Sequence, residues 1–160
     1  MPRTRSGEDV TAFDIDPARS IGYLIRSTSR QILAQLQARL EPHDVTLGGY
    51  FILRELWENE GITQRELSTR IGVQEPATVA AIDAMEKRDL VVRVRSKQDR
   101  RKIHVYLTSR GRGLRSELLA QARGVIDGAT ADFPREDVTT LRRLLQKLQL
   151  GLHSPVESAE

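Results

Sequence analysis

The sequence predicts a mainly α-helical protein carrying one small β-hairpin, and three observations carry that reading. Residues 61–108 hold two short helices joined by a tight turn, followed by a segment that alternates with period two. The segments on either side are long and place apolar residues at helical spacing. Positive charge is concentrated at the hairpin: residues 87–102 set Lys87, Arg88, Arg93, Arg95, Lys97, Arg100, Arg101 and Lys102 against Asp89 and Asp99. That is +6 in a chain whose total is +3, so the remainder sums to −3. A surplus confined to one hairpin is an electrostatic footprint for a polyanion rather than a diffusely basic surface.

Residues 1–15 offer little to bury apart from Val10, Phe13 and Ile15 and are expected to form a mobile arm. Asp16-Pro17 supplies a cap followed by the proline that suits a first turn. From there Ile21, Leu24, Ile25, Ile32, Leu36 and Leu40 recur at helical spacing to residue 41, where Pro42 prevents continuation. A helix of about 25 residues, roughly 37 Å long at 1.5 Å per residue, exceeds what a compact head needs and favours a second role at an interface. Thr46 is the expected cap of a helix running to residue 59 with Leu47, Tyr50, Phe51, Leu53, Leu56 and Trp57, and Glu60-Gly61 ends it.

Thr63 and Glu66 have the spacing of a capping box, so a short helix starts there. Gly72 closes it in the left-handed conformation, and Pro76 falls in the first turn of a second helix over residues 75–88. That helix buries Ile82 and Met85, with either Thr78 or Val79 completing the stripe, and leaves its opposite face for a partner. The hairpin follows: residues 91–95, a polar tip at 96–99, then Ile103, Val105 and Leu107 alternating over residues 102–107. Thr108 or Ser109 caps a long helix with Leu114, Leu118, Leu119, Ala122, Val125, Ile126 and Ala129 on one stripe. Gly124 and Gly128 weaken it by roughly 1 kcal/mol each unless they allow close helix contact. Phe133-Pro134 opens a last helix with Val138, Leu141, Leu144, Leu145 and Leu148 on one side, and residues 151–160 form a polar tail. The outer helices are more apolar along one face than a head of about 60 residues covers, which marks an interface. A two-fold homodimer is the simplest symmetric solution.

The order helix, helix, hairpin, with ITQREL at 62–67, IGVQEP at 71–76, DAMEKRDLV at 83–91, DRR at 99–101 and VYLT at 105–108, resembles the winged helix-turn-helix of MarR-type bacterial transcription regulators. The resemblance covers about residues 17–150. It implies one winged helix-turn-helix domain over residues 16–150, with dimerisation helices at about 16–41 and 109–150 and a DNA-binding head at about 46–108. The partners it implies are a second copy of the chain, double-stranded DNA with a pseudo-palindromic operator, and a small effector of the aromatic acid, phenol or thioester class whose binding releases a repressor. In the family the wing pattern Asp-x-Arg, here Asp99 and Arg101, places the arginine in the minor groove with the aspartate steadying it. The negative potential of a narrow minor groove gives the physical reason.

Arg95, Lys97 and Arg100 are expected at phosphates, where they fix register and supply salt-dependent affinity without reading sequence. The DNA-facing set is completed by Thr63, Gln64, Gln74, Glu75, Ala77, Ala80 and Lys87. The recognition helix departs from the family: Ala77, Ala80 and Ala84 stand where many relatives carry threonine or arginine, and Asp83 is the one polar group on the outward face from 76 to 84. Gln74 and Glu75 suit adenine or cytosine edges and the alanines suit thymine methyls, whereas the bland alternative for Glu75 is a solvent-facing carboxylate. More of the specificity is therefore expected from DNA shape and the wing. The family's effector cleft maps to Tyr23, Arg26, His43, Tyr50 and Trp57. The competing assignment places Tyr50 and Trp57 in the core and His43 on the surface.

Composition narrows the remaining classes. With no cysteine there is no disulfide, thiolate metal site or cysteine nucleophile. No run approaches the roughly 20 apolar residues that span a membrane, and the polar opening lacks the apolar core of a signal peptide, so a cytoplasmic location is expected. His43, His104 and His153 lack metal-site spacing, and no phosphate-cradling loop or nucleophile elbow is present, so neither catalysis nor a cofactor or metal is expected. The alternative that the alanine-rich helix keeps open is a dimeric winged-helix interaction or architectural module without sequence-specific DNA reading.

Overall fold

The computed structural model describes residues 20–153. The expected arm, the Asp16-Pro17 start and residues 154–160 of the expected tail lie outside the described residues. The chain divides into two compact units, one ending at Val125 and the other beginning at Ile126. Among the described residues helices dominate, and two strands form an antiparallel sheet. No helix among the described residues is long and apolar enough to cross a membrane.

Helix α1 (Ile21–Leu40) begins later than the sequence suggests. Ser20 has extended backbone and its Oγ accepts from the Tyr23 amide at 3.4 Å, so the serine caps this helix. The apolar stripe of α1 is only half used: Leu36 and Leu40 are buried, while Ile21, Tyr23, Leu24 and Ile25 are exposed. Pro42 sits in a 3₁₀ turn (Glu41–His43) that Asp44 closes in the left-handed conformation. Helix α2 (Leu47–Glu58) is capped by Thr46, whose Oγ1 accepts from the Gly49 amide at 3.1 Å, and it buries Tyr50, Ile52, Leu53 and Leu56. Phe51, expected inside, is exposed, and Ile52 takes the buried place.

Helix α3 (Gln64–Ile71) carries the capping box in full: the Glu66 amide donates to Thr63 Oγ1 at 3.2 Å and the Thr63 amide to the Glu66 carboxylate at 2.8 Å. The Thr63 amide and hydroxyl together hold the Glu66 carboxyl below its usual range. Gly72 closes α3 at φ 69°, a conformation costly for any residue with a Cβ, and helix α4 (Glu75–Lys87) starts three residues later. Thr78, not Val79, completes the buried stripe of α4 with Ile82 and Met85. Strands β1 (Val91–Arg95) and β2 (Ile103–Leu107) pair antiparallel with Val91 opposite Leu107 and Arg95 opposite Ile103.

Beyond the hairpin the expected single helix is broken. Thr108 is the cap, with Oγ1 accepting from the Gly111 amide at 3.0 Å, but the helix it starts, α5 (Ser109–Gly113), stops at Leu114, and α6 (Arg115–Ala129) follows. The Gly111 carbonyl, which a continuous helix would use for Arg115, accepts instead from Trp57 Nε1 at 3.0 Å. Glycine is required at 111 for space: a Cβ there would fall 2.1 Å from the Leu90 carbonyl oxygen. Of the two helical glycines left open by the sequence, Gly124 does allow a close approach, by the Arg39 guanidinium.

The core of the first unit gathers Leu40, Leu53, Leu56, Leu67, Ile82, Leu90, Val105, Leu118 and Val125 from every one of its longer elements. In the second unit, helix α7 (Arg135–His153) continues through Gly151 to His153, three residues past its expected end, and buries no side chain. Leu141, Leu144, Leu145 and Leu148 are 39 to 50% exposed.

Candidate nucleic-acid interface

The hairpin is fixed to the helical head along one edge and one face. On the edge, the Gly61 amide donates to the Val105 carbonyl at 3.0 Å and the Val105 amide to the Ile62 carbonyl at 2.9 Å. His104 Nδ1 lies 2.8 Å from the Gly61 carbonyl, so the segment that leads into α3 is bound to β2. Across the face, Arg93 of β1 reaches three places at once. Its Nη2 donates to Asp83 Oδ1 at 2.5 Å and to Glu86 Oε2 at 2.6 Å, its Nη1 to Gln64 Oε1 at 3.4 Å, and its backbone amide to Glu86 Oε1 at 2.9 Å. One guanidinium thus ties the hairpin to both helices of the helix-turn-helix. It counts toward the +6 of the hairpin region yet its charge is met by carboxylates of the head, among them half-exposed Asp83, the one polar group expected on the outward face of α4.

This clamp predicts a pH-dependent stability. Arg93 hydrogen bonds hold the Glu86 carboxyl below its ordinary value of 4.5. A carboxyl whose folded value is depressed contributes stability that is present above its unfolded value and lost as the pH falls through the folded one. Arg93→Ala is expected to cost roughly 1–3 kcal/mol at pH 7, because it leaves two partly buried carboxylates unpaired. Urea unfolding should show the gap between the parent and the variant shrinking as the pH drops below about 4.5. A gap that stays constant to pH 3 would mean that the stability Arg93 contributes does not come from pairing with the Glu86 carboxylate.

The tip is built around Asp99. Ser96 Oγ accepts from the Gln98 and Asp99 amides, both at 3.2 Å, and Asp99 Oδ1 accepts from the Arg101 amide at 3.1 Å and from Arg101 Nε at 3.3 Å. The Arg101 side chain is 92% exposed, so the carboxylate orients it without burying it. Between this tip, the first turn of α3 and the start of α4 lies a cleft of about 680 Å³. It is lined by Thr63, Gln64, Glu75, Asp99 and Arg101 of the expected set together with Arg65, Glu66, Thr69, Arg70, Lys102 and Ile103.

Gln74, Ala77 and Ala80 are exposed on α4 beside the cleft, Arg95, Lys97 and Arg100 are exposed on the hairpin, and Lys87 is exposed at the far end of α4. Arg65 and Arg70 are cations the sequence analysis did not select. Their signal was present, since Arg65 follows Gln64 in the first turn of α3. Arg70 is tied to Glu55 at 2.9 Å.

The five effector candidates occupy separate settings. Tyr23 and Arg26 are exposed on the first half of α1. His43 is largely covered, 3.5 Å from Glu117, which corrects its assignment to an open surface. Tyr50 is 1% exposed and packs edge to face with Trp57 at 6.5 Å, while the Trp57 indole N–H is spent on Gly111. Tyr50 belongs to the core, and Trp57 is partly buried against it. The Tyr50 hydroxyl is nevertheless left without a hydrogen-bond partner among the described residues. No group of three or more histidine or carboxylate side chains among the described residues is placed to hold a metal.

Comparison with known proteins places these features. A family model described as the MarR family matches residues 45–103, which include α2, the helix-turn-helix and most of the hairpin. The HTH-type transcriptional regulator TtmR of Methylorubrum extorquens (strain PA1) is 29% identical over 111 residues, covering 68% of this chain and 57% of that protein, so the chain matches little more than half the relative's length. A MarR transcriptional regulator from Methanosarcina mazei Go1 superposes with a TM-score of 0.74 at 26% identity, covering 82% of this chain and 96% of the other. The transcriptional repressor CouR bound to a 23-mer DNA duplex superposes with a TM-score of 0.70 at 28% identity, covering 82% and 94%.

Proposed function

We propose that this chain, whose residues 45–103 match the MarR family model, acts as a homodimeric, sequence-specific DNA-binding regulator that represses transcription by occupying a pseudo-palindromic operator. The observation that carries the reading is the cleft in which the Asp99-held Arg101 faces the start of α4, with both parts fixed to one rigid head. In that reading α4 enters the major groove while Arg101 enters the adjacent minor groove, and Arg95, Lys97 and Arg100 meet phosphates. Two heads would place their recognition helices roughly 34 Å apart, in successive major grooves.

Support for the dimer comes from the apolar residues left open on α1 and, separately, on α7, since stripes of that extent on one chain mark interaction surfaces. Release by a small aromatic acid or thioester would follow if such a ligand bound better to a conformer with wrongly spaced heads, and a coupling of about 1–3 kcal/mol is enough. Tyr23 and Arg26, three residues apart on α1 and both exposed, offer an aromatic face and a cation to such a ligand. The role is regulation, not catalysis.

A second reading, an architectural module without sequence preference, is favoured by the alanine face of α4 and the withdrawal of Asp83 into the Arg93 clamp. Competition binding separates the two. A duplex from beside the chain's own gene should be bound roughly 10³-fold more tightly than random DNA of equal length, by a species that sediments as a dimer. Equal affinities would leave only the architectural reading.

A further inference from the structure

We propose that α4 reads a half-site made of a cytosine at the helix's N-terminal end and thymines toward its C-terminal end, through the Glu75 carboxylate and the methyl groups of Ala77 and Ala80. This rests on the DNA-binding reading above. It comes from what the outward face of α4 has left to offer once the intramolecular contacts are subtracted. Asp83 and Glu86 are both held by Arg93, and Thr78, Ile82 and Met85 point into the core. What remains exposed over the first two turns is Gln74, Glu75, Pro76, Ala77 and Ala80.

Each of these groups has a restricted set of complements in the major groove. An ionised carboxylate only accepts hydrogen bonds, so Glu75 pairs best with the exocyclic amino group of cytosine, less well with that of adenine, whose N7 acceptor lies beside it, and is repelled by the two acceptors of guanine. No ion pair to Glu75 occurs among the described residues, which leaves the carboxylate free to accept from a base. Ala77 and Ala80 carry only methyl groups on the same side of the helix, three residues apart. The one apolar group presented in the major groove is the C5 methyl of thymine. A guanine or adenine edge pressed against these methyls would lose water and gain no hydrogen bond, which costs binding free energy. Short side chains also let the backbone of α4 lie deep in the groove, where a methyl-to-methyl contact closes.

The test uses the full chain and an operator enriched by selection from random duplexes. Thymines of each half-site are replaced one at a time by deoxyuridine, which deletes only the methyl group, and the parent is compared with Glu75→Gln. The expected result is one or two thymines per half-site at which deoxyuridine weakens binding roughly fourfold, the value of one buried methyl. Glu75→Gln should move the preference at one base pair from cytosine to adenine by roughly tenfold, because an amide both donates and accepts.

Deoxyuridine without effect at every position, with Glu75→Gln raising affinity equally for all sequences as loss of phosphate repulsion would, overturns the half-site while leaving DNA binding intact. Selection that enriches no sequence removes the sequence-specific reading and the half-site with it.

Discussion

Neutralising Arg100 and Arg101 together should lower operator affinity about a hundredfold or more at moderate salt and, with four charges removed from the dimer, reduce the slope of log affinity against log salt by about 3 to 4. Both side chains are exposed at the hairpin tip, and Arg101 is oriented by Asp99 without being buried. Little folding stability depends on either, so the double variant should unfold within about 0.5 kcal/mol of the parent. Affinity measured at several salt concentrations on operator and random duplexes checks this. Unchanged affinity at all salts would show that the tip does not touch DNA, and the proposed function would lose its main support. Arg93 is the contrast: it belongs to the same basic segment, but its charge is already consumed by Asp83 and Glu86.

Gly111→Ala should destabilise the fold by roughly 3 kcal/mol, the upper part of the usual range for forcing an atom into filled space. The added Cβ would meet the Leu90 carbonyl oxygen at 2.1 Å and Leu107 Cδ2 at 3.3 Å. That carbonyl accepts from the Thr108 amide at 3.1 Å and cannot retreat without loosening the start of the hairpin. Pushing α5 away instead would break the Trp57 bond to the Gly111 carbonyl. Helix propensity alone argues the opposite, a gain of about 1 kcal/mol for alanine over glycine. Gly113→Ala, two residues along the same helix with nothing within 4 Å of its added Cβ, isolates that gain and should be neutral or stabilising. Urea unfolding of the two variants decides: if both stabilise, the close approach of α5 to the hairpin does not exist in solution.

The elements most legible in the sequence are those whose causes lie within a few residues. Thr46, Thr63 with Glu66, Gly72 and Thr108 close helix ends through groups three or four positions away, and each does so in the structure. The hairpin was equally legible, because alternation in 103–107 follows directly from strand geometry. At the candidate site, the pairing of Asp99 with Arg101 followed from the resemblance to the family's wing pattern, and the carboxylate does accept from Arg101 Nε in the structure.

Where the reading went astray, a distant partner had decided. Whether Tyr50 and Trp57 line a pocket or the core was left open, because nothing near them in sequence shows that they pack on each other or that the Trp57 indole bonds to α5. Arg65 was legible beside Gln64 in the first turn of α3, whereas Arg70 reaches the cleft only because α3 folds beside the hairpin tip.

Local chemistry, then, was enough to specify the helix-turn-helix, the hairpin and the sign of its charge, since capping, turn formation and alternation act over a handful of residues. Which of those charges remain available was settled only in three dimensions. Arg93 meets Asp83 across 10 positions and Trp57 meets Gly111 across 54, and no periodicity encodes such pairs. They exist because burial brings a donor to the acceptor left closest to it, and that depends on how every element packs at once.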